Sequence, residues 1–333
     1  MSVVLVYTLG ATALQKFNPG SGRMELQLSP GELLASAAVP QGIEARIDRA
    51  FPFRSGAELT YEVLLEVAAV ISASCRQDPT VNGCVLLCGT DTLEEAAFAL
   101  QLMLGTALRR THHALIVTGA MLPADQPSSD GPRNLRDAIT VAAHPATATL
   151  PGGVLVVMND SIHLASYVCK ADSQLVGAFR SHPGPIGQLR GGAPVYYFSP
   201  PPAVGPNWLA DEAFGQLAAA ALRMRVAVWT LGVSGFLPDS LLHELDGLVL
   251  AGSGTGSLPA ALVEQLAPAW TSRLPIVICS RCPVGQNHDD CHYRGSRHKY
   301  EGRGFILDRG YTNLNPLQAR TLLVLRLSAF GTA

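Results

Sequence analysis

The chain alternates short apolar runs with longer segments of helical periodicity. Four runs in its first half are rich in Val, Ile and Leu and lack polar alternation, which is typical of strands covered on both faces in a parallel sheet. These runs are Val3–Tyr7, Val85–Cys88, Ala114–Thr118 and Val154–Met158. Apolar residues at helical spacing lie between them, in Tyr61–Arg76, Leu93–Arg109 and Asn134–Ala143. We therefore predict a parallel α/β sheet covered by helices.

The same alternation returns in the last third of the chain. Its predicted strands are Val226–Thr230, Gly247–Ala251 and Ile276–Ser280, and its predicted helices are Leu258–Leu266 and Pro316–Leu327. Between the halves, Tyr196–Asn207 contains four prolines, which favour an extended connector. The alternative is a long surface loop. We predict domains over 1–195 and 223–333 with a linker over 196–222, the first domain being the larger.

Composition excludes several classes of protein. Hydrophobic residues make up 48% of the 333 residues and charged residues 15%, which indicates a globular protein with a large core. The formal net charge is -2, and like charges do not cluster, so neither a nucleic-acid surface nor a polybasic membrane patch is indicated. No apolar stretch approaches the ~20 residues of a transmembrane helix.

The seven cysteines and the first ten residues indicate the cellular compartment in which we expect the protein. An odd number of cysteines scattered over the chain does not indicate a disulfide framework. The first ten residues, MSVVLVYTLG, lack a cationic segment and a cleavage site, and they resemble a strand rather than a signal peptide. We expect a cytoplasmic protein.

Polar residues follow the predicted strands, at the edge where open α/β sheets bind ligands. Thr8 and Thr12 follow the first strand. Gly89-Thr90-Asp91-Thr92 follows the second strand, and Gly119-Ala120-Met121 follows the third. Lys170 lies twelve residues beyond the fourth. The chain has only three lysines, Lys16, Lys170 and Lys299, among 24 basic residues. A lysine in this position is therefore informative.

These residue types suit nucleophilic acyl transfer by threonine. A hydroxyl needs a neighbouring base to remove its proton, and lysine can serve where arginine cannot. Asp91 would orient Lys170, and the glycines would let a substrate reach backbone amides that stabilise an oxyanion. The alternatives are that Gly89–Thr92 only begins a helix with a capping box, that Lys170 is a solvated charge, and that Thr8 and Thr12 are turn residues.

Several segments resemble the bacterial-type L-asparaginase/glutaminase family, of which the chain would be a divergent member. The segments are GCVLLCGTDT (83–92), VTGAMLP (117–123), SDGPRNL (129–135), VVMND (156–160), VCKA (168–171), SRCPVG (280–285) and NLNPLQARTL (313–322). They span nearly the whole chain in the family's order. The resemblance implies two α/β domains, four subunits and active sites formed between paired subunits.

Carried over by position, Thr90, Asp91 and Lys170 match the family's threonine–aspartate–lysine catalytic group. The family's nucleophilic threonine follows its first strand, where this chain has Thr8-Leu9-Gly10-Ala11-Thr12-Ala13. One alignment makes Thr12 the nucleophile, and another places Ala11 there. We favour Thr12, because a small residue before it still allows close packing. The family's first loop carries an assisting tyrosine, but 16–29 contains none, and Arg23 or Met24 lies nearest.

The predicted substrate contacts depart from the family. Gly56 and Ala57 fall at the positions of a Ser-Gln pair that binds the amino-acid head, with Ser55 just before them. Ser257 stands where asparaginases commonly have Asn. Gly89 and Ala120 complete the predicted substrate contacts. Because lost hydrogen-bonding groups weaken discrimination strongly, this pattern indicates a small-molecule amide other than free asparagine.

Two alternative functions stay open: genuine L-asparaginase/glutaminase activity, and a catalytically inactive asparaginase-like binding protein. We expect a homodimer or homotetramer, without nucleic-acid or membrane partners and without a cofactor or metal. Cys279-x-x-Cys282, with Cys291, His288 and His292 nearby, has zinc-like elements but lacks a second CxxC. Gly252–Gly256 has alternating glycines without the lysine or acid of a nucleotide-binding loop.

Overall fold

The computed structural model describes residues 1–150, 152–199, 223–307 and 310–331. The chain divides into two compact units, one on each side of the segment 200–222. The predicted α/β class and the order of a larger and a smaller unit are confirmed. Most of the predicted linker, 196–222, lies outside the described residues, and its bounds stay a prediction.

Within the described residues, the first unit is built on an eight-stranded mixed sheet. The strands of this unit are β1 (Ser2–Thr8), β2 (Gln15–Asn18), β3 (Arg23–Leu26), β4 (Ile43–Ala50), β5 (Val81–Leu87), β6 (Leu115–Thr118), β7 (Val154–Met158), β8 (Ser161–Leu164), β9 (Val168–Lys170), β10 (Phe179–Ser181), β11 (Gly187–Arg190) and β12 (Ala193–Tyr196). The main sheet has the order β12-β11-β8-β7-β6-β5-β1-β4, and β2–β3 and β9–β10 form separate antiparallel pairs.

Five neighbouring strands of the main sheet, β4, β1, β5, β6 and β7, are parallel, as the continuous apolar runs predicted. From β7 onward the sheet continues antiparallel through β8, β11 and β12. The sequence did not predict this part, because strands of four residues leave little periodicity. It also did not predict β4, whose apolar residues alternate with charged ones at the edge of the sheet.

Helices cover both faces of the main sheet. They are α1 (Pro30–Ser36), α2 (Tyr61–Gln77), α3 (Leu93–Arg110), α4 (Gly131–Ala143) and α5 (Pro145–Ala148), with 3-10 turns at Thr12–Leu14 and Gly56–Glu58. Alternate residues of β1, Val4 and Val6, join the core cluster of α4, and the intervening Leu5 points to the other face. Gly83 lets α4 approach β5 closely, because a Cβ there would lie 2.4 Å from the Ala142 carbonyl oxygen.

The second unit has a parallel sheet with its own core. Its strands are β13 (Val226–Thr230), β14 (Gly247–Gly252) and β15 (Ile276–Ser280), and its helices are α6 (Asp239–Leu242), α7 (Ala260–Leu266), α8 (Ser296–Glu301) and α9 (Pro316–Phe330). The predicted strands agree within one residue. Asn315 and Gln318 form a reciprocal capping box that begins α9 where the sequence predicted it. No helix of the described residues is long and apolar enough to cross a membrane.

Candidate active site

The loops after three neighbouring parallel strands lie side by side at one edge of the main sheet. The Leu9 N–H donates to the Leu87 carbonyl at 2.9 Å, which joins the loop after β1 to the end of β5. The Cys88 N–H donates to the Thr118 carbonyl at 3.0 Å, which joins the loop after β5 to the end of β6. Parallel pairing therefore gathers the polar residues that follow these strands.

Lys170, the last residue of β9, brings a cation to this edge. Its Nζ lies 3.1 Å from Thr90 Oγ1 and 2.9 Å from Asp91 Oδ1. The Lys170 side chain is 14% exposed, whereas that of Asp91 is 69% exposed. Thr90 is buried. The structure thus brings together the three residues that the sequence singled out for proton transfer, with the carboxylate facing solvent.

Glu94, which the sequence analysis did not single out, anchors Lys170. It lies in the first turn of α3, and its carboxylate accepts a hydrogen bond from the Lys170 backbone N–H. Burial raises the pKa of Glu94, and the Lys170 N–H and charge oppose that shift. An acidic residue in the first turn of a helix is explained by the helix dipole alone. The sequence therefore offered no signal that Glu94 contacts Lys170.

The capping box at the start of α3, which the sequence offered as an alternative to a catalytic role, does not form. Thr92 is the N-cap of that helix, but its side chain makes no capping bond. Its hydroxyl donates instead to the Gly56 carbonyl oxygen at 2.7 Å. The segment Gly89–Thr92 therefore holds the Gly56–Glu58 turn as well as beginning a helix.

Close backbone approaches shape this edge. A Cβ on Gly119 would lie 2.7 Å from the Cys88 carbonyl oxygen and 3.0 Å from Thr90 Cγ2. A Cβ on Gly89 would lie 3.0 Å from the Gly56 nitrogen, and a Cβ on Gly56 would lie 3.0 Å from Asp91 Cβ. Side chains at these positions would push the loops apart. The glycines thus allow Thr90 and Asp91 to lie tightly between neighbouring loops.

Asp130 and Asn134 at the start of α4 fix the loops after β6 and β7. The Asp130 carboxylate accepts from the Met121 and Leu122 N–H groups at 2.9 to 3.1 Å. Asn134 Nδ2 donates to the Gly119 carbonyl oxygen at 3.0 Å and to Asp130 at 2.9 Å. Both residues belong to the SDGPRNL segment, whose resemblance was the signal, although no role was predicted for them.

The structure distinguishes the two residues predicted as alternatives for the first nucleophile. Ala11 is 2% exposed and precedes the 3-10 turn, whereas Thr12, its first residue, is half-buried. Among the described residues, the Thr12 hydroxyl has no hydrogen-bond partner, unlike that of Thr90. Thr12 therefore has the more accessible side chain of the two.

The other predicted substrate contacts differ in their placement. Ser55 and Gly56 are half-buried, with Gly56 next to Asp91, and Ala57 is exposed. Ala120 is completely buried against the start of α4, so its side chain faces the protein interior. Ser257 belongs to the second unit, where its backbone closes a tight loop with Ser253. The assignment of substrate contacts stays a prediction.

The first loop forms an antiparallel hairpin of β2 and β3. Met24 lies opposite Phe17, and both side chains are largely exposed, as is Arg23. The Phe17 N–H donates to Asp125 Oδ2 at 2.8 Å, which ties the hairpin to the loop after β6. Met24 and Arg23 therefore project from a structured hairpin, and neither supplies the phenol of the family's tyrosine.

Cysteine and histidine residues do not assemble a metal site in the part of the chain that the structure describes. No group of three or more His, Cys, Asp or Glu side chains there is arranged to hold a metal ion. All seven cysteines are free. Gly252–Gly256 forms a turn closed by backbone bonds between Ser253 and Ser257.

Sequence profiles of two domain families match the chain. The profile described as "Asparaginase, N-terminal" matches residues 2–202, and that described as "Glutaminase/Asparaginase C-terminal domain" matches residues 226–332. Together they span most of both units.

Individual relatives agree with the profiles. L-asparaginase 2 of Escherichia coli strain K12 is 31% identical over 274 residues, covering 81% of this chain and 72% of the relative. Glutaminase-asparaginase of Acinetobacter glutaminasificans is 30% identical over 280 residues, covering 83% and 78%. The crystal structure of a probable cytoplasmic L-asparaginase from Campylobacter jejuni shares the fold, with a TM-score of 0.78 at 24% identity over 99% of this chain and 96% of that one. The chain therefore belongs to the asparaginase family of amidohydrolases.

Proposed function

We propose that this protein hydrolyses a carboxamide by threonine nucleophilic catalysis and releases ammonia. The observation that carries the proposal is the position of Lys170 Nζ within hydrogen-bond distance of both Thr90 and Asp91. Lysine can exchange a proton with a hydroxyl, and a positioned acid or base contributes about 10²–10⁴-fold to such reactions. Thr90, Asp91 and Lys170 then act as one proton-transfer unit.

The reaction needs each proton to have a destination. Lys170, once deprotonated, accepts the proton of the attacking hydroxyl as its oxygen bonds to the amide carbon. The tetrahedral intermediate expels ammonia, which leaves with a proton returned by Lys170, and water then hydrolyses the acyl-threonine. Asp91 keeps the charge of Lys170 balanced, and backbone amides beside Gly89 stabilise the oxyanion.

Two threonines are candidates for the attacking oxygen. Thr12 is supported by the family resemblance and by its accessible side chain, and Thr90 by its contact with Lys170. We propose Thr12 as the nucleophile. Thr90 would then pass the proton of the Thr12 hydroxyl on to Lys170. Rapid quenching with a slow amide substrate, followed by peptide mass spectrometry, identifies the acylated threonine. An acyl group on Thr90 would reverse the two roles.

We propose further that free asparagine is a poor substrate. Gly56 and Ala57 offer no side-chain hydrogen bonds to a zwitterionic head group, and Gly56 is packed so closely on Asp91 that a side chain there would require a shift. Each missing charge-assisted bond costs roughly 1.5–3 kcal/mol. Two such losses weaken recognition by about two to four orders of magnitude. The exposed Ala57 and the exposed Asp91 carboxylate at this edge suit an amide within a larger metabolite or peptide.

Genuine L-asparaginase/glutaminase activity is the second candidate, and the names of the relatives favour it. Ammonia release from asparagine, glutamine and a panel of larger primary and secondary amides separates the hypotheses, with Lys170→Met as the background control. Faster turnover of a larger amide supports the proposal. A micromolar KM with ordinary turnover on either amino acid would contradict the altered specificity, and no turnover on any amide would favour an inactive binding protein.

A cytoplasmic location also belongs to the proposal. It is supported by seven free cysteines, which suit a reducing compartment. Fractionation of the native host, with detection by antibody, tests this location. Recovery with the periplasmic or secreted fraction would contradict it.

A further inference from the structure

Cys75 and Cys84 meet inside the first unit, and neither belongs to the residues of the candidate site. Cys75 lies near the end of α2 and Cys84 lies within β5, and their sulfur atoms are 3.6 Å apart. Disulfide sulfurs are about 2.05 Å apart, so the two sulfur atoms lie about 1.5 Å beyond bonding distance. The proposed amide hydrolysis uses neither thiol.

A cavity gives small molecules a route to one of the two thiols. It has a volume of about 490 Å³ and lies at the edge of the sheet where β1 and β5 begin, opposite the candidate site. Cys75 lines it, although the residue is only 6% exposed overall, whereas Cys84 is completely buried behind it. The pair thus has one thiol at a cavity wall and one in the interior.

The lining of this cavity favours a thiolate at Cys75. Arg76, His112, His113 and His144 line it, and its described lining residues include no Asp or Glu. The contact with the Cys84 thiol and the Arg76 guanidinium lower the pKa of Cys75, against the effect of burial. The same contact and burial raise the pKa of Cys84. The carboxyl end of α2 disfavours an anion, and the Arg76 guanidinium opposes that effect.

We propose that Cys75 and Cys84 form a reversible disulfide when Cys75 reacts with a small hydroperoxide that enters through this cavity. The Cys75 thiolate attacks the hydroxyl-bearing oxygen of the hydroperoxide, the O–O bond breaks, and Cys75 becomes a sulfenic acid. The departing alkoxide or hydroxide takes up a proton from solvent, which balances the proton that Cys75 released on ionising, and leaves as alcohol or water. The Cys84 sulfur then displaces the hydroxyl, which leaves as water with the Cys84 proton. Two electrons pass from the two thiols to the peroxide. A thiolate that a peroxide can reach and that lies beside a resolving cysteine reacts in this way.

Hydrogen peroxide titration of the full chain tests the proposal. After oxidation, the protein is unfolded, alkylated and digested, and the peptides are identified by mass spectrometry. We expect a linked pair of peptides containing Cys75 and Cys84, a mass loss of two hydrogen atoms, and full reversal by dithiothreitol. Cys75 should lose its free thiol at least about tenfold faster than the buried Cys88.

Variants separate the two steps. In Cys84→Ser, Cys75 should accumulate as a sulfenic acid that dimedone traps, and no linked peptide should form. Cys88→Ser, which replaces another fully buried thiol, should still form the link. The proposal is overturned if wild-type protein oxidises only at the exposed Cys282 and Cys291, or if Cys75 reaches the sulfinic acid without linking to Cys84.

Discussion

At the residue scale, Lys170 connects three other residues of the candidate site. Its Nζ contacts both a buried hydroxyl and an exposed carboxylate, and its backbone N–H is held by Glu94. Arginine at this position would keep the positive charge but would not act as a base. We therefore expect the identity of the residue to matter more for activity than its charge.

We predict that Lys170→Arg lowers turnover at least ~100-fold, since loss of general-base help costs that order. The variant should fold normally by circular dichroism, because the ion pair with Asp91 is retained. Lys299→Arg, at an exposed position of the second unit, is the matched control and should keep full activity. Turnover close to wild type on the best amide substrate would remove Lys170 from the mechanism.

His163 makes stability depend on pH. It is 2% exposed, its Nδ1 lies 2.7 Å from Ser181 Oγ, and burial lowers its pKa to about 4. The unfolded state, with a pKa of 6.5, binds a proton at mildly acidic pH before the folded state does. The contribution of neutral His163 to the free energy of unfolding is therefore fully present above pH 6.5, and it is lost as the pH falls from 6.5 to 4.

We predict that His163 lowers the free energy of unfolding by about 2 kcal/mol when the pH falls from 7 to 4.5. Urea unfolding at both pH values measures it. His163→Gln should reduce the pH dependence by that amount, whatever its stability at pH 7, and His298→Gln, at an exposed position, should leave it unchanged. An equal pH dependence in His163→Gln and wild type would contradict the assignment.

At the scale of elements, the start of α4 joins two loops of the candidate site. Asn134 is 1% exposed and makes bonds to the loop after β6, to Asp130 and to the Asn159 N–H, the last at 3.0 Å. A helix that begins with this network fixes where Gly119 packs on Thr90. The placement of the site therefore depends on a helix terminus as well as on strands.

We predict that Asn134→Ala destabilises the protein by about 2–3 kcal/mol, because it leaves buried partners unsatisfied, and that it lowers kcat as well. Chemical unfolding and steady-state assays measure the two effects. Thr140→Ala on the same helix removes a hydroxyl bonded to the Arg136 carbonyl one turn back and should cost less than 1 kcal/mol. Equal small effects of both substitutions would contradict a special role for Asn134.

The hydrophobic pattern predicted some elements and missed others for a local reason. Long buried elements such as β1, β5, α2 and α3 carry several periods of their pattern, so the chain specifies them within a few residues. The strands from β8 to β12 have three or four residues each, which is too short for a period to be recognised. They form because the edge of the main sheet and the strand pairs offer them hydrogen-bond partners.

At the scale of the whole molecule, each unit has its own sheet and core. Large apolar side chains remain exposed in both, including Phe17 in the first unit and Val233 and Phe236 in the second. Apolar side chains in contact with water favour association when they cluster. This exposure and the family resemblance both suit a homodimer or homotetramer, which stays a prediction.

We predict that light scattering coupled to size exclusion at micromolar concentration gives the mass of two or four chains. Repeating the measurement over a tenfold dilution shows whether the assembly is stable. Ammonia release is measured on the same fractions, and it should follow the oligomer. A monomer mass with full activity would contradict the prediction.

The sequence by itself determined the α/β class, the family and the neighbouring pair Thr90 and Asp91, because these depend on local periodicity and on contiguous motifs. The family resemblance grouped Lys170 with Thr90, but only the tertiary structure shows that its Nζ, 80 residues away along the chain, lies 3.1 Å from Thr90 Oγ1 and that Glu94 holds its backbone. It also decided that Thr12 rather than Ala11 has the accessible side chain. The physical reason is that strand order and close backbone approach, which bring distant residues together, follow from packing of the whole unit and leave no local period in the chain.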